Sequence, residues 1–253
     1  MPKNFIFVEK HYGYLIPFQQ NSLKDLFEQT NHKIFDGACA GVVAALLECS
    51  IVPLKNNLRF FAPTARHFFL PSASRCLNLQ NEYEQNVTDY FTIFIRDILK
   101  INETGFADQD GFGADPLEIL NKLSFNNVHK NELVLMNAIY HLDSKGKVYT
   151  LEHKLCLLKL NNKYIFCEPN YGIVLFNTLD HINEWLMEEI ALGALEHYVK
   201  PVKTKMVISD HVIKEQGKKE GILTVSSVFF EYYSFPIHQE QHAPDAPNFQ
   251  SRL

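Results

Sequence analysis

The pattern of apolar and polar positions predicts helices in the first half of the chain. Two short strands around a turn are predicted at 5–18, and Ser22 begins a short helix that has Asp25 in its first turn. In the stretch from Gly37 to Glu48, ten of twelve residues are Ala, Val, Leu or Gly. This composition predicts a helix over 38–49 that is buried on every side.

The middle of the chain has a helical period and then a glycine-rich break. Six apolar residues at helical spacing predict one helical face within 82–100: Tyr83, Val87, Tyr90, Phe91, Phe94 and Ile98. Three glycines and several acidic residues predict a loop at 104–115. Asp115 and Pro116 then indicate the start of another helix at 115–120.

The pattern changes to strands in the second half. Residues 148–176 read as strand, turn, strand, turn, strand, with Asn161-Asn162 as a two-residue hairpin turn. Asp180 is expected to cap a long helix over 181–199, and two further strands are expected near 204–209 and 222–235. Together these elements predict an α+β fold with helices on one side of an antiparallel sheet.

Composition narrows the class of protein. The chain has 253 residues, 46% hydrophobic, and a net charge of −5, so it can bury a sizeable core and lacks the basic surface typical of nucleic-acid binders. It has no apolar run of about 18 residues and no signal-peptide core, and its five scattered cysteines indicate a reducing compartment. We expect a monomer with a single domain at 1–235 and a flexible tail at 236–253.

The predicted hairpin brings several polar residues together. With Asn161-Asn162 as the turn, His153, Glu168 and Asn170 share one face, and Glu168 lies diagonal to His153, at about 7–8 Å between backbones. A carboxylate and an amide can therefore both contact one imidazole. On the other face Cys156 lies opposite Cys167, which we interpret as two small buried thiols rather than a disulfide.

Cys39 heads the apolar helix, and this position favours nucleophilic chemistry. The positive end of the helix dipole stabilises a thiolate, and a neighbouring imidazolium stabilises it further. A thiolate and an imidazolium, with a third group that orients the ring, are the requirements for covalent catalysis.

Three segments in this order resemble the YopT/AvrPphB family of bacterial effector cysteine proteases. They are Gly37-Ala38-Cys39-Ala40-Gly41-Val42, His153 at the start of a strand, and "FCEPNYG" at 166–172, and the resemblance spans about 35–190. It implies a papain-like fold in which a central helix carrying the nucleophile packs against an antiparallel β-sheet. By this resemblance Cys39 is the nucleophile, His153 is the general base, and Glu168 stands where the family has aspartate.

Two features depart from the family pattern. Glu168 is one methylene longer than aspartate, which leaves Asn170 as an alternative group to orient His153. The family also forms its oxyanion hole from the nucleophile's own N–H and a side-chain donor several residues upstream. Here the candidates for that donor are Gln29, Asn31 and His32.

The resemblance implies a thiol protease that cleaves a host protein through a thioester intermediate, without a cofactor. It also implies delivery into the host cytoplasm by a specialised bacterial secretion system. A Cys-dependent acyltransferase, deamidase or transglutaminase on the same fold is the alternative enzyme. A non-catalytic binding module on a decayed protease fold is the alternative outside enzymology.

Other sites are weaker hypotheses. A zinc site at His153, Cys156, Cys167 and Glu168 is disfavoured, because residues 153 and 156 face opposite sides of a strand and the chain has no C-x-x-C motif. Asp108 and Asp110 resemble part of a calcium loop that lacks its bidentate glutamate. The lysines between Lys214 and Lys219 allow peripheral contact with anionic lipid.

Overall fold

The computed structural model describes residues 5–31, 37–55, 72–85, 90–99, 101, 104–108, 130–160, 163–208 and 217–236. The α-helices in these ranges are α1 (Lys24–Asn31), α2 (Cys39–Lys55), α3 (Ala73–Gln85), α4 (Tyr90–Ile93) and α5 (Leu179–Leu192). Short 3-10 helices lie at Glu9–His11, Gln20–Leu23 and Ala194–Tyr198, and a π-helical turn at Phe94–Ile98. The strands are β1 (Tyr14–Ile16), β2 (Thr104–Asp108), β3 (Lys130–Ser144), β4 (Lys147–Leu160), β5 (Lys163–Glu168), β6 (Gly172–Phe176), β7 (Val202–Ile208) and β8 (Gly217–Pro236).

The strands form one sheet in which every described pair is antiparallel. The order is β1-β6-β5-β4-β3-β8-β2, and β7 pairs with the first part of β8. The predicted hairpin register is confirmed, because Leu160 lies opposite Lys163 and Cys156 opposite Cys167. The structure is thus a mixed α and β fold built on an antiparallel sheet.

Helices cover both faces of this sheet, so the prediction that they lie on one side was wrong. Helices α2, α3 and α4 pack on the face that carries Leu135 and Cys156. Helix α5 packs on the opposite face, where Trp185 contacts Phe166 and Phe176. The physical reason is visible in β4, which is buried without interruption from His153 to Leu160 and so must be covered on both sides.

Helix α2 lies in the core, as the apolar stretch predicted. Its side chains from Val42 to Leu47 have no exposed surface. Gly41 is required for its packing, since a Cβ there would lie 2.1 Å from the carbonyl oxygen of Cys76 on α3. The Gly41 N–H instead donates to Oε1 of Gln80 at 2.9 Å. The second glycine of the Gly-x-Cys-x-Gly segment therefore allows α3 to approach α2.

Several predicted elements differ from those observed. Only Tyr14–Ile16 of the segment 5–18 is a strand, and Thr104–Asp108, predicted as loop, pairs with β8. Helix α5 ends at Leu192, and its N-cap is Thr178 rather than Asp180, because the Thr178 hydroxyl accepts from the His181 N–H at 3.3 Å. Strand β3 had not been predicted.

The π-helical turn changes which residue faces the core at the end of the predicted helical face. It adds one residue to the turn, and the Leu99 N–H donates to the carbonyl of Phe94 at 3.0 Å. As a result Leu99 is buried and Ile98 is exposed. A pattern of period 3.6 cannot anticipate this shift of one position.

Some predictions fall outside the described residues. These are most of the loop at 104–115, including Asp110, the helix start at 115–120, Lys214, and the tail after Pro236. Within the described ranges no helix is long and apolar enough to cross a membrane.

Candidate active site

Cys39 is the first residue of α2 and lies at the open edge of β4. Gly37 precedes it with a φ of 132°, a conformation that favours glycine and turns the chain into the helix. The thiol is half-buried and accepts a hydrogen bond from the Lys154 backbone. This contact forms where β5 has ended at Glu168 and no longer occupies the edge of β4.

His153 brings the predicted residues together. Its Nε2 is hydrogen bonded to Oε1 of Glu168, and its ring is also hydrogen bonded to the Cys39 thiol. Because Nε2 faces Glu168, Nδ1 is the nitrogen left for the thiol. The Asn170 side-chain amide lies 3.3 Å from His153 Nε2 and donates to Glu168 Oε1 at 3.2 Å. Thus Glu168 and Asn170 both contact the ring nitrogen that points away from Cys39.

Glu168 has no exposed surface, and the turn after β5 provides its second partner. The Asn170 N–H donates to Glu168 Oε2 at 3.1 Å. A buried carboxylate requires such partners to remain charged. The turn that contains Pro169 therefore supplies a backbone donor and a side-chain donor to the same carboxylate.

The electrostatics favour a charged thiolate–imidazolium pair. Burial alone would raise the pKa of the Cys39 thiol, but the hydrogen bond and charge of His153, followed by the backbone and charge of Lys154, lower it overall. Burial likewise opposes charge on His153, but the Glu168 carboxylate and the Cys39 thiolate raise the pKa of His153 to about 10. The lowered pKa of the thiol and the raised pKa of the imidazole both favour the charged pair over the neutral one.

Gln20 belongs to the site and was missed by the sequence analysis. Its Oε1 accepts from the Ala38 N–H at 2.6 Å, and its Nε2 donates to Asn170 Oδ1 at 2.7 Å. Its own N–H donates to the Pro169 carbonyl at 2.7 Å. Gln20 therefore connects the start of α2 to the turn that carries Asn170. Gln20 lies 19 residues before Cys39, further upstream than the candidate donors Gln29, Asn31 and His32. Its position two residues before the predicted helix start at Ser22 is the signal in the sequence that could have indicated it.

The predicted upstream donors have different outcomes. Gln29 is exposed on α1 and forms no hydrogen bond with a described residue of the site. Asn31 ends α1, but its side chain is not described, and His32 lies outside the described residues. The identity of the side-chain oxyanion donor stays a prediction.

Aromatic rings, also missed from the sequence, enclose the far side of His153. The Tyr140 ring lies 6.4 Å from His153 in a T-shaped arrangement and stacks on His197 at 6.0 Å. Tyr171 and Tyr198 contact His197 as well. Burial lowers the pKa of His197, so this second imidazole favours the neutral form beside the charged one.

Cys156 and Cys167 are both buried and free, as predicted. The hydrogen bond that the Cys167 thiol donates to Cys156, followed by burial, raises the pKa of Cys167. In the described part of the chain no group of three or more His, Cys, Asp or Glu side chains is arranged to bind a metal ion.

Two toxin domains are among the solved structures that are similar to this chain. The YopT domain of the Pasteurella multocida PfhB2 toxin is 15% identical with a TM-score of 0.26, over 81% of this chain and 98% of that domain. PatoxP, a cysteine protease-like domain of the Photorhabdus asymbiotica toxin PaTox, is 13% identical with a TM-score of 0.26, over 80% of this chain and 57% of that one. Both similarities are weak. No protein-family model matches the chain, and no curated protein matches it significantly.

Proposed function

We propose that this protein is a cysteine protease in which Cys39, His153 and Glu168 carry out nucleophilic catalysis. The observation that carries the proposal is the position of His153, which is hydrogen bonded to Cys39 on one side and to the buried carboxylate of Glu168 on the other. This is the arrangement of nucleophile, base and orienting group that acyl transfer requires.

The steps follow from the charges of the resting site. The Cys39 thiolate attacks the carbonyl carbon of a peptide bond, and we assign the N–H of Cys39 at the start of α2 to the developing oxyanion. The His153 imidazolium then gives its proton to the leaving amine, which leaves a thioester on Cys39. The neutral imidazole next accepts a proton from water, whose oxygen bonds to the acyl carbon as the bond to sulfur breaks. This releases the carboxylic acid and restores the Cys39 thiolate and the His153 imidazolium.

Glu168 is proposed as the orienting residue and Asn170 as its support. The Glu168 carboxylate accepts from the Nε2–H of the imidazolium and stabilises it by charge, whereas the Asn170 amide nitrogen is a donor and instead donates to Glu168. Asn170 contacts both Glu168 and His153 and is connected through Gln20 to α2. Asn170 would thus act on His153 through Glu168, by holding the carboxylate in place.

The substrate is proposed to be a protein of a host cell that the enzyme enters after secretion by a bacterium. This part depends on the motif resemblance to the YopT/AvrPphB family, which also motivates a papain-like fold. An acyltransferase, deamidase or transglutaminase would use the same thioester and differ only in the group that attacks or leaves it.

Alkylation of Cys39 tests the proposal. We expect iodoacetamide to modify Cys39 rapidly near pH 6, where a free thiol with a pKa of about 8.5 is almost entirely protonated. In His153→Ala the rate at this pH should fall about 100-fold, since thiolate becomes scarce. Peptide mass spectrometry across pH 4 to 9 separates Cys39 from the other cysteines, and exposed Gln85→Leu serves as a control for substitution as such.

A rate that rises only near the pKa of a free thiol, and that His153→Ala does not change, would contradict the proposal. Turnover of a peptide substrate, once one is found, should also decline as the pH passes about 10, where His153 loses the proton that the leaving amine needs. Alkylation should show no such decline, because it needs only the thiolate.

A further inference from the structure

The Gln20 side-chain amide lies between the two segments that carry the proposed site. Its Oε1 accepts from the Ala38 backbone N–H at 2.6 Å, and its Nε2 donates to Asn170 Oδ1 at 2.7 Å. The backbone N–H of Gln20 donates to the Pro169 carbonyl at 2.7 Å. A backbone N–H can only donate and a carbonyl can only accept, so the main chain fixes which end of the Gln20 amide faces each segment.

This fixed polarity continues through Asn170 to Glu168. Because Gln20 Oε1 faces the Ala38 N–H, the other end of the amide is a nitrogen, which offers only donors. The atom of Asn170 that faces this nitrogen is therefore its oxygen, and Asn170 Nδ2 is turned toward Glu168, where it donates to Oε1 at 3.2 Å. The Asn170 amide thus supports the carboxylate as a donor and does not compete with it for the Nε2–H of His153.

Gly37 provides the space for the Gln20 amide. The φ of Gly37 is 132°, which favours glycine, and a Cβ at this position would lie only 3.2 Å from Gln20 Oε1. Gln20 is only 8% exposed, so its polar atoms depend on protein partners. The first glycine of the Gly-x-Cys-x-Gly segment therefore allows an amide of fixed direction to lie beside the start of α2.

The opposite direction of the Asn170 amide would act against Glu168. With the amide turned over, its oxygen would lie near Glu168 Oε1, and the two acceptors would repel each other and compete for the single Nε2–H of His153. The buried carboxylate would keep the backbone donor of Asn170 at 3.1 Å but would lose the side-chain donor. An amide in the wrong direction is therefore more harmful to the site than a missing one.

We propose that Gln20 is a positioning residue that selects Glu168, rather than Asn170, as the group that orients His153. It acts by fixing the direction of the Asn170 amide, so that Asn170 donates to Glu168 and leaves the Nε2–H of His153 to the carboxylate. This inference rests on the proposed function and identifies what determines the orienting residue of that same site.

A double-mutant cycle on the reactivity of Cys39 tests this role. Gln20→Glu replaces one NH2 group by oxygen at almost constant size, so the side chain still accepts from the Ala38 N–H but no longer donates to Asn170. Its added charge also disfavours the Cys39 thiolate. That part of the effect persists in an Asn170→Ala background, whereas the part that passes through the Asn170 amide does not. The iodoacetamide rate at pH 6 is measured for the unsubstituted protein, both single variants and the double variant.

We expect Gln20→Glu to lower this rate about 30-fold in the unsubstituted protein but only about threefold in the Asn170→Ala background, a coupling of about tenfold. A role limited to packing or to charge predicts the same factor in both backgrounds. Gln85→Glu, at an exposed position, is the control for an added carboxylate, and thermal unfolding verifies that each variant folds.

NMR spectroscopy provides a test that does not depend on the folding of a variant. Asn170 Nδ2 lies 3.3 Å from His153 Nε2, so NOEs from the Asn170 side-chain amide protons to the His153 ring protons are expected in the unsubstituted protein. These NOEs should be lost in Gln20→Glu, because the Asn170 nitrogen then turns toward the new carboxylate.

The possible failures are distinguishable. Equal factors in the two backgrounds, NOEs that persist in Gln20→Glu, or no such NOEs in the unsubstituted protein would overturn the role of Gln20 and leave the nucleophile intact. A rate in the unsubstituted protein that rises only near the pKa of a free thiol, and that His153→Ala does not change, would overturn the proposed function and this inference together.

Discussion

The ends of β5 and α5 each contain a glutamate without exposed surface, and the two carboxylates have different kinds of partner. Glu168, at the end of β5, contacts His153 and Asn170. Glu189, in the last turn of α5, accepts three backbone N–H groups, from Ile6 at 2.8 Å, Phe7 at 3.0 Å and Ala194 at 2.8 Å.

The difference separates a structural role from a chemical one. Backbone N–H groups are permanent donors, so Glu189 connects α5 with the N-terminal segment and with the turn that follows the helix. The ring of His153 can gain or lose a proton, so Glu168 acts on a group whose charge changes. Burial of a carboxylate alone therefore does not indicate a reactive site, whereas the titratable nature of its partner does.

Replacing Glu189 should give the largest effect, and the effect should be on folding. Glu189→Ala leaves one buried and two part-buried backbone N–H groups without an acceptor. The buried group alone costs about 1–3 kcal/mol, so we expect a loss of about 2–3 kcal/mol in the free energy of unfolding. Urea denaturation measures this. The molecules that remain folded should keep a normal iodoacetamide rate at Cys39, and a selective loss of that rate would show that the two carboxylates are not separate in role.

Replacing Glu168 should lower the reactivity of Cys39 and leave the free energy of unfolding almost unchanged. In Glu168→Gln the side chain keeps its size and a hydrogen-bonding oxygen but loses the charge that raises the pKa of His153. We expect the alkylation rate at pH 6 to fall by roughly 30- to 100-fold, while the free energy of unfolding changes by about 1 kcal/mol or less. Glu189→Gln, measured in parallel, is the matched control, and an unchanged rate in Glu168→Gln would contradict this assignment.

The effect of replacing Gln20 should lie between the effects of replacing Glu189 and Glu168. The reason is that the Gln20 side chain bonds one backbone group and one side chain. Gln20→Leu should remove its hydrogen bonds to Ala38 and Asn170, with a loss of about 1–2 kcal/mol in stability and about a tenfold lower alkylation rate. The exposed Gln85→Leu on α3 is the control. If stability fell while reactivity did not, Gln20 would belong with Glu189 rather than with Glu168.

The smallest effect is expected for Asn170. Asn170→Ala removes the side-chain contacts to His153 and Glu168 but leaves the backbone N–H that Glu168 accepts. We expect the alkylation rate at pH 6 to fall by about three- to fivefold, the equivalent of about 1 kcal/mol or less. A larger loss than in Glu168→Gln would identify Asn170 as the orienting residue.

The sequence predicted the parts of the site that depend on local rules. The hairpin turn determined the register that places Glu168 near His153, and an apolar run with two glycines identified the helix headed by Cys39. Gln20 was not predicted as a site residue, since its role arises from contacts between segments that are distant in the sequence. The prediction for Ile98 failed because one extra residue in a helical turn leaves no mark on the apolar pattern.

Gln20, Ala38 and Pro169 are far apart in the sequence, and their contacts require three segments to be in place together. A ribosome that has released only the first half of the chain has made Cys39 but not His153 or Glu168. Until the β4–β5 hairpin emerges and docks, Cys39 is an ordinary thiol with little nucleophilic power. The producing cell would therefore meet the reactive form only after synthesis of the hairpin is complete.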